Sequence, residues 1–69
     1  MDFRSLSLRE KEILLCLANG KSTVDVALFL EVSERTVKFH IDNVMKKLNA
    51  LNRTHATAIA IREKIIDLG

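Results

Sequence analysis

Residues 22–48 read STVDVALFLEVSERTVKFHIDNVMKKL, and this stretch decides the fold. Ser22 and Ser33 each stand at the head of a run with helical spacing of apolar residues. A serine hydroxyl accepts from the unpaired amides of a helix's first turn, so both serines predict helix starts. After Ser33, Val37, Ile41, Val44 and Leu48 recur at i, i+4, i+7 and i+11, which predicts a helix over 34–48 with one buried face. Before it, Ser22-Thr23-Val24-Asp25 predicts a short helix over 23–30, with Val26, Ala27 and Leu30 facing inward. Only Glu31-Val32-Ser33 separates the two. Two helices joined by a three-residue turn, the second longer and basic, form a helix-turn-helix. Ala27 supplies the small residue that the helix crossing requires, and Val32 the apolar plug within the turn.

Working outward, Ser7-Leu8-Arg9-Glu10 reads as a capping box, in which the glutamate reaches back to the cap's own amide. It opens a first helix over 8–18, with Ile13, Leu14 and Leu17 inward and Leu6 packing just before the cap. Asn19-Gly20 ends it, glycine suiting the left-handed geometry of a helix C-terminus. A fourth helix, beginning near Arg53 or Thr54, is expected over 54–67. Its apolar residues do not keep to one side: Ala58, Ile61, Ile65 and Leu68 line one, Ala56, Ile59, Ala60 and Ile66 another. A terminal helix that is apolar on two sides has one left after core packing, and exposed apolar patches mark interfaces. Ala58, Ile61, Arg62 and Ile65 are therefore expected to form a self-association surface, the alternative being a wide core contact. The expected architecture is all-α: a four-helix, bundle-like single domain over 1–69.

A chain of this length buries only about 60% of its unfolded surface, so helix packing must hold a thin core together. With 48% hydrophobic and 29% charged residues the composition is that of a globular protein. The absence of any long apolar run or signal peptide leads us to expect a soluble, cytoplasmic protein with no membrane partner. The lone Cys16 excludes an internal disulfide, and with His40 and His55 it is too small a set for structural zinc. No Ser-His-Asp set, paired carboxylates or glycine-rich phosphate loop is present. Neither an enzyme, a metal, a cofactor nor a bound small molecule is expected.

The net charge of +2 is unevenly spread: −1 over residues 1–32, +2 over 33–49 and +1 over 50–69. The excess lies where phosphate contacts would need it. With the apolar stripe of the 34–48 helix inward, a step of 100° per residue puts Arg35, Phe39, Asp42 and Lys46 on its outer side, flanked by Thr36, Lys38 and Asn43. That face is a candidate base-reading surface. Lys38 can donate to guanine O6 and N7, or be a solvated lysine. Phe39 can cover a thymine methyl group or pack on another domain. Asp42 can accept from cytosine N4, but an ion pair with Lys38 or Lys46, four residues to either side, is the favoured reading. Lys46 and Lys47, at the far end, suit backbone phosphate, and Asn43 on the flank joins them. Lys21, Ser22 and Thr23 open the second helix, and Arg53, Thr54 and His55 the fourth, where helix amides already favour anions. Each of these helix starts, taken alone, is more often an ordinary cap. Cys16 and His40 are read as packing residues.

The ordered set Leu6-Ser7-x-Arg9-Glu10-x-Glu12-Ile13-Leu14, Ala18-x-Gly20-x-Ser22, Val26-Ala27-x-x-Leu30-x-Val32-Ser33, Thr36-Val37-Lys38-x-His40-x-x-Asn43-Val44-x-x-Lys47-Leu48 and Arg53 resembles the LuxR-type (GerE-like) helix-turn-helix domain over roughly residues 6–66. The resemblance implies a four-helix unit of a bacterial transcription regulator, set at the C-terminus of a larger protein and dimerising through its fourth helix on inverted-repeat double-stranded DNA. It implies base reading by Lys38, Phe39 and Asp42, and backbone contact by Thr36 and Lys47. Asn52-Arg53-Thr54-His55-Ala56, followed by an Ala/Ile-rich helix, is most similar to the quorum-sensing branch. Asp25 stands where glutamate is commoner. RNA polymerase is a further candidate partner. Two other readings stay open: a protein-interaction module that uses Phe39 to grip a partner, and a promoter-reading piece of a sigma factor.

Overall fold

The computed structural model describes residues 6–67 and carries four helices: α1 (Leu8–Ala18), α2 (Thr23–Leu30), α3 (Glu34–Leu48) and α4 (Arg53–Arg62). The first three have the expected bounds, because each opens on a serine cap. Ser7, Ser22 and Ser33 accept the amides of Glu10, Asp25 and Thr36, and in α1 and α2 the acidic residue returns the bond to the cap's own N–H. Asn52 caps α4 by accepting from the amide of His55 at 2.9 Å.

All four helices end in the same way. At each C-terminus one residue turns left-handed, with φ of 85° at Gly20, 57° at Glu31, 54° at Asn49 and 58° at Lys64. Its amide donates three residues back and the next amide donates five back. The pairs are Gly20 to Leu17 and Lys21 to Cys16, Glu31 to Leu28 and Val32 to Ala27, Asn49 to Lys46 and Ala50 to Met45, and Lys64 to Ile61 and Ile65 to Ala60. This is the Schellman closure, which satisfies carbonyls that the helix leaves unpaired. Glycine fills the special position only once; elsewhere the hydrogen bonds must offset the steric cost of a β-carbon.

Two buried clusters form the core, and α1 and α3 run through both. Ile13, Val26, Ala27, Val37 and Ile41 hold α1, α2 and the front of α3 together, with Leu30 and Val32 packed against them. Leu6, Leu14, Val44, Leu48, Ala56, Ile59, Ala60 and Ile66 join α1 and the rear of α3 to α4. Met45, half-buried, touches both clusters.

The fourth helix is shorter than the expected 54–67, and Leu68 lies outside the described residues. After Arg62 the chain turns left-handed at Lys64 and doubles back, so that Ile66 is 8% exposed in the second cluster and Ile65 packs beside it. Burying two isoleucines against the core outweighs about one and a half further turns of helix.

A β-carbon at Gly20 would meet nothing within 4 Å, so any penalty there is conformational alone. Gly20→Ala is expected to lower stability by about 1 kcal/mol, and Glu31→Gly to raise it by a similar amount. Urea midpoints should therefore move in opposite directions; shifts of the same sign would refute left-handed strain as the cause.

Candidate nucleic-acid interface

The residues that could meet DNA are set by how α3 is seated. Val37, Ile41, Val44 and Leu48 are 0%, 5%, 1% and 3% exposed, so the opposite face has to point outward. Arg35, Lys38, Phe39, Asp42 and Lys46 are all exposed there, with Thr36, His40 and Asn43 half-buried on the flanks. Phe39 is 62% exposed, an apolar ring among polar neighbours, and meets the His40 ring edge-to-face at a centroid separation of 5.8 Å. The expected ion pair of Asp42 does not form: among the described residues its carboxylate bridges neither Lys38 nor Lys46. An exposed i, i+4 pair is worth only about 0.3–0.5 kcal/mol, too little to hold two mobile side chains together.

The front of α3 is locked by its cap. Ser33 Oγ accepts the Thr36 amide at 3.1 Å and donates to Thr36 Oγ1 at 3.0 Å, which leaves the threonine's own hydroxyl hydrogen to serve another acceptor.

At the α2 start, Lys21 and Ser22 are exposed, but the Ser22 hydroxyl is engaged with the Asp25 amide at 3.1 Å. Asp25 accepts the Ser22 amide in return at 3.2 Å, and these bonds hold its carboxyl below the ordinary carboxylate range. Thr23 is placed differently from the sequence-based expectation. It is 8% exposed and its hydroxyl is buried without a hydrogen-bond partner, so its side chain faces the protein and not the solvent.

At the α4 start, Arg53 and Thr54 are exposed. The Leu51 amide donates to His55 Nδ1 at 3.0 Å, closing the α3–α4 turn beneath them. Ala58, Ile61 (45% exposed) and Arg62 lie on the outer side of α4, away from buried Ala56, Ile59 and Ala60. Arg62 Nε bridges Glu63 at 3.4 Å. Ile65, expected beside them, lies past the helix end and packs against the core.

Lys47, expected at backbone phosphate, turns its ammonium inward. Its Nζ lies 2.8 Å from Glu10 Oε1, and Glu10 is nearly buried. The same oxygen accepts the Ser7 amide at 2.8 Å. Burial alone would raise the Glu10 pKa; the bonds from Lys47 and Ser7 outweigh it and hold the carboxyl below its ordinary value. Sequence spacing identified Glu10 as half of a capping box but gave no sign of a partner 37 residues away.

A second feature not anticipated from the sequence is α2 itself. Only Asp25 in it is charged, and Val24, Leu28 and Phe29 are 49%, 73% and 72% exposed on its outer side. Between Phe29 and α1 runs an open groove lined by Leu15, Cys16, Val26 and the charged Glu12, Lys21 and Asp25.

The paired helices α2 and α3, braced by α1 and α4, define a helix-turn-helix of the kind used by transcription regulators. Comparison with known proteins makes the assignment specific. Residues 4–60 match the family described as "Bacterial regulatory proteins, luxR family", and the chain belongs to that family. It is similar to y4qH of Sinorhizobium fredii, named as an HTH-type transcriptional regulator, with 52% identity over 93% of this chain and 20% of the relative. It is also similar to RhlR of Pseudomonas aeruginosa, an HTH-type quorum-sensing regulator, with 51% identity over 80% of this chain and 23% of the relative. The chain thus spans about a fifth to a quarter of these relatives' length. The solved structure of the transcription factor GerE superposes with a TM-score of 0.89 and 33% identity, covering 100% of both chains. The four helices are a DNA-binding domain of LuxR-family transcription regulators, which are not enzymes. No described helix is long and apolar enough to cross a membrane.

The ion pair predicts a pH dependence. Because the folded carboxyl of Glu10 is held below 4.5, its stabilisation is complete above that pH and is lost as pH falls through the depressed value. Glu10→Gln should lower stability at pH 7 and make the acid limb shallower below about pH 4.5, though not flat, since Asp25 titrates in the same sense. An unaltered acid limb in unfolding titrations would contradict this.

Proposed function

We propose that this chain binds double-stranded DNA sequence-specifically, as a dimer on an inverted repeat, and so regulates transcription, with α3 in the major groove. The observation that carries the reading is the outward face of α3, where Phe39 stands exposed among Arg35, Lys38 and Asp42 on a helix seated by four buried apolar residues. An exposed aromatic there is unfavourable until something covers it, and a thymine methyl group fits the role. Lys38 addresses guanine O6 and N7. Asp42, without an ion pair, addresses cytosine N4, and Arg35 reads an adjoining base. Lys21, Lys46, Arg53 and Thr54, with Thr36 and Asn43 at the flanks of α3, contact phosphate and position the domain. At the α2 start Thr23 contributes through its backbone amide, its hydroxyl being buried, while Ser22, whose amide and hydroxyl are both engaged by Asp25, holds that turn in place.

Dimerisation uses the outer side of α4, through Ala58, Ile61 and Arg62 with Ile65 at its margin. In a two-fold dimer the two α3 helices lie about 34 Å apart, one turn of DNA. Residues 1–69 act as one unit of a cytoplasmic regulator that joins the nucleoid when bound. Activation of transcription within a quorum-sensing circuit is supported by the name of RhlR and by that of BjaR1, a transcriptional activator protein. RNA polymerase is the further partner of such an activator, and the exposed apolar side of α2 is the surface left for it once α3 and α4 are occupied.

Selection from a random DNA pool should enrich one inverted repeat. On that site Lys38→Ala is expected to weaken binding about 10- to 100-fold, the worth of one base contact, with little loss on random duplex. Equal losses on both would make Lys38 a phosphate contact. Ile61→Glu should leave a folded monomer by sedimentation and abolish the preference for a full over a half site; an unchanged full-site preference would remove α4 from the dimer.

A further inference from the structure

We propose that Glu10 is a positioning residue for base reading: through Lys47 it sets the rotation of α3 about its own axis, although it stands on another helix and touches no DNA. The inference rests on the proposed reading of DNA by α3, and it begins from one oxygen atom. Glu10 Oε1 accepts both the Ser7 amide and the Lys47 ammonium, each at 2.8 Å. The first bond fixes the carboxylate to the N-terminus of α1; the second fixes the last turn of α3 to the carboxylate. An otherwise local capping box thereby becomes a link between the helix that braces the fold and the helix that reads.

The packing of α3 into the two clusters is apolar, and hydrophobic burial is non-directional, so it resists exposure of the Val37–Leu48 stripe but only weakly opposes a small roll. A roll of about 10° moves a side-chain tip some 6 Å from the helix axis by about 1 Å. Base-edge hydrogen bonds tolerate about 0.5 Å of donor–acceptor distance, so that roll separates a reading from a non-reading helix. An ion pair with a nearly buried carboxylate, directional and short, is able to discriminate at this scale. Phosphate contacts by flexible exposed lysines would survive the same roll.

The reading also reassigns Lys47. Its charge is committed inward, so its loss should blunt discrimination and not lower binding to all DNA alike.

The test compares wild type, Glu10→Gln, Lys47→Met and the double variant by melting temperature, affinity for the selected site, affinity for random duplex and salt dependence. Glutamine keeps an oxygen for the Ser7 amide, which favours a folded variant, and affinities are corrected for the folded fraction. Both single variants are expected to lose about tenfold on the selected site with random-duplex affinity and salt slope unchanged, and the double variant to lose no more than either. Three results would overturn the proposal. Lower melting temperatures with both affinities intact would make the pair a brace for stability alone. A uniform loss and shallower salt slope for Lys47→Met, or a uniform gain for Glu10→Gln, would return Lys47 to the phosphate. Additive losses in the double variant would uncouple the two residues. Should wild type itself enrich no sequence, the reading by α3 fails and this inference with it, a result distinct from the other three.

Discussion

Val37, Ile41, Val44 and Leu48 give α3 no freedom to turn over. Exposing all four by a half-turn would cost about 6–12 kcal/mol at the usual worth of a buried aliphatic side chain, comparable to the entire stability of a small domain. Much else in the molecule follows from this seating. The stripe is long enough to enter two clusters, so α1, which faces both, becomes the common brace. The outer face is then committed to solvent or to a ligand over the whole length of the helix. What the stripe leaves open is fine rotation, and there the polar link through Glu10 matters.

The elements legible in the sequence were those specified by neighbours in the chain. Ser7, Ser22 and Ser33 mark three helix starts because a cap needs only the residue three positions on, and the α3 period is visible because its register repeats. The end of α4 had no such mark. Lys64 takes the left-handed position that glycine takes at Gly20, and only the pull of Ile66 into the core explains it. The same limit applies to the site. Arg35, Lys38, Phe39 and Asp42 follow from the period of one helix, whereas the Glu10–Lys47 pair joins residues far apart in the chain. Thr23 misled for a related reason: a hydroxyl next to a capping serine resembles a second phosphate donor, and only tertiary packing turns it inward.

The apolar surplus of the chain is sorted by these constraints. Of the two apolar sides of α4, packing takes the one with Ala56, Ile59 and Ala60 and leaves Ala58 and Ile61 outside. In α2 the surplus is larger, since a helix apolar all round is ordinarily buried, yet here one side carries exposed Val24, Leu28 and Phe29. Both surfaces carry an unfavourable exposure that monomeric folding does not explain. Their separation fits the proposed function, in which one face meets DNA, one a second copy of the chain and one another protein.

In the proposed function, Asp42 supplies part of the discrimination. A carboxylate without a neutralising lysine is unfavourable near phosphate, and the energy lost to that repulsion falls on every DNA sequence equally. Only a site that offers a donor, the N4 amine of cytosine, returns it. Placed between Lys38 and Lys46, the carboxylate lowers non-specific attraction from the same helix that supplies it. Specificity is a difference of affinities, and a group that penalises wrong sites serves as well as one that rewards the right one. A neutral residue at this position would bind more DNA and distinguish less of it.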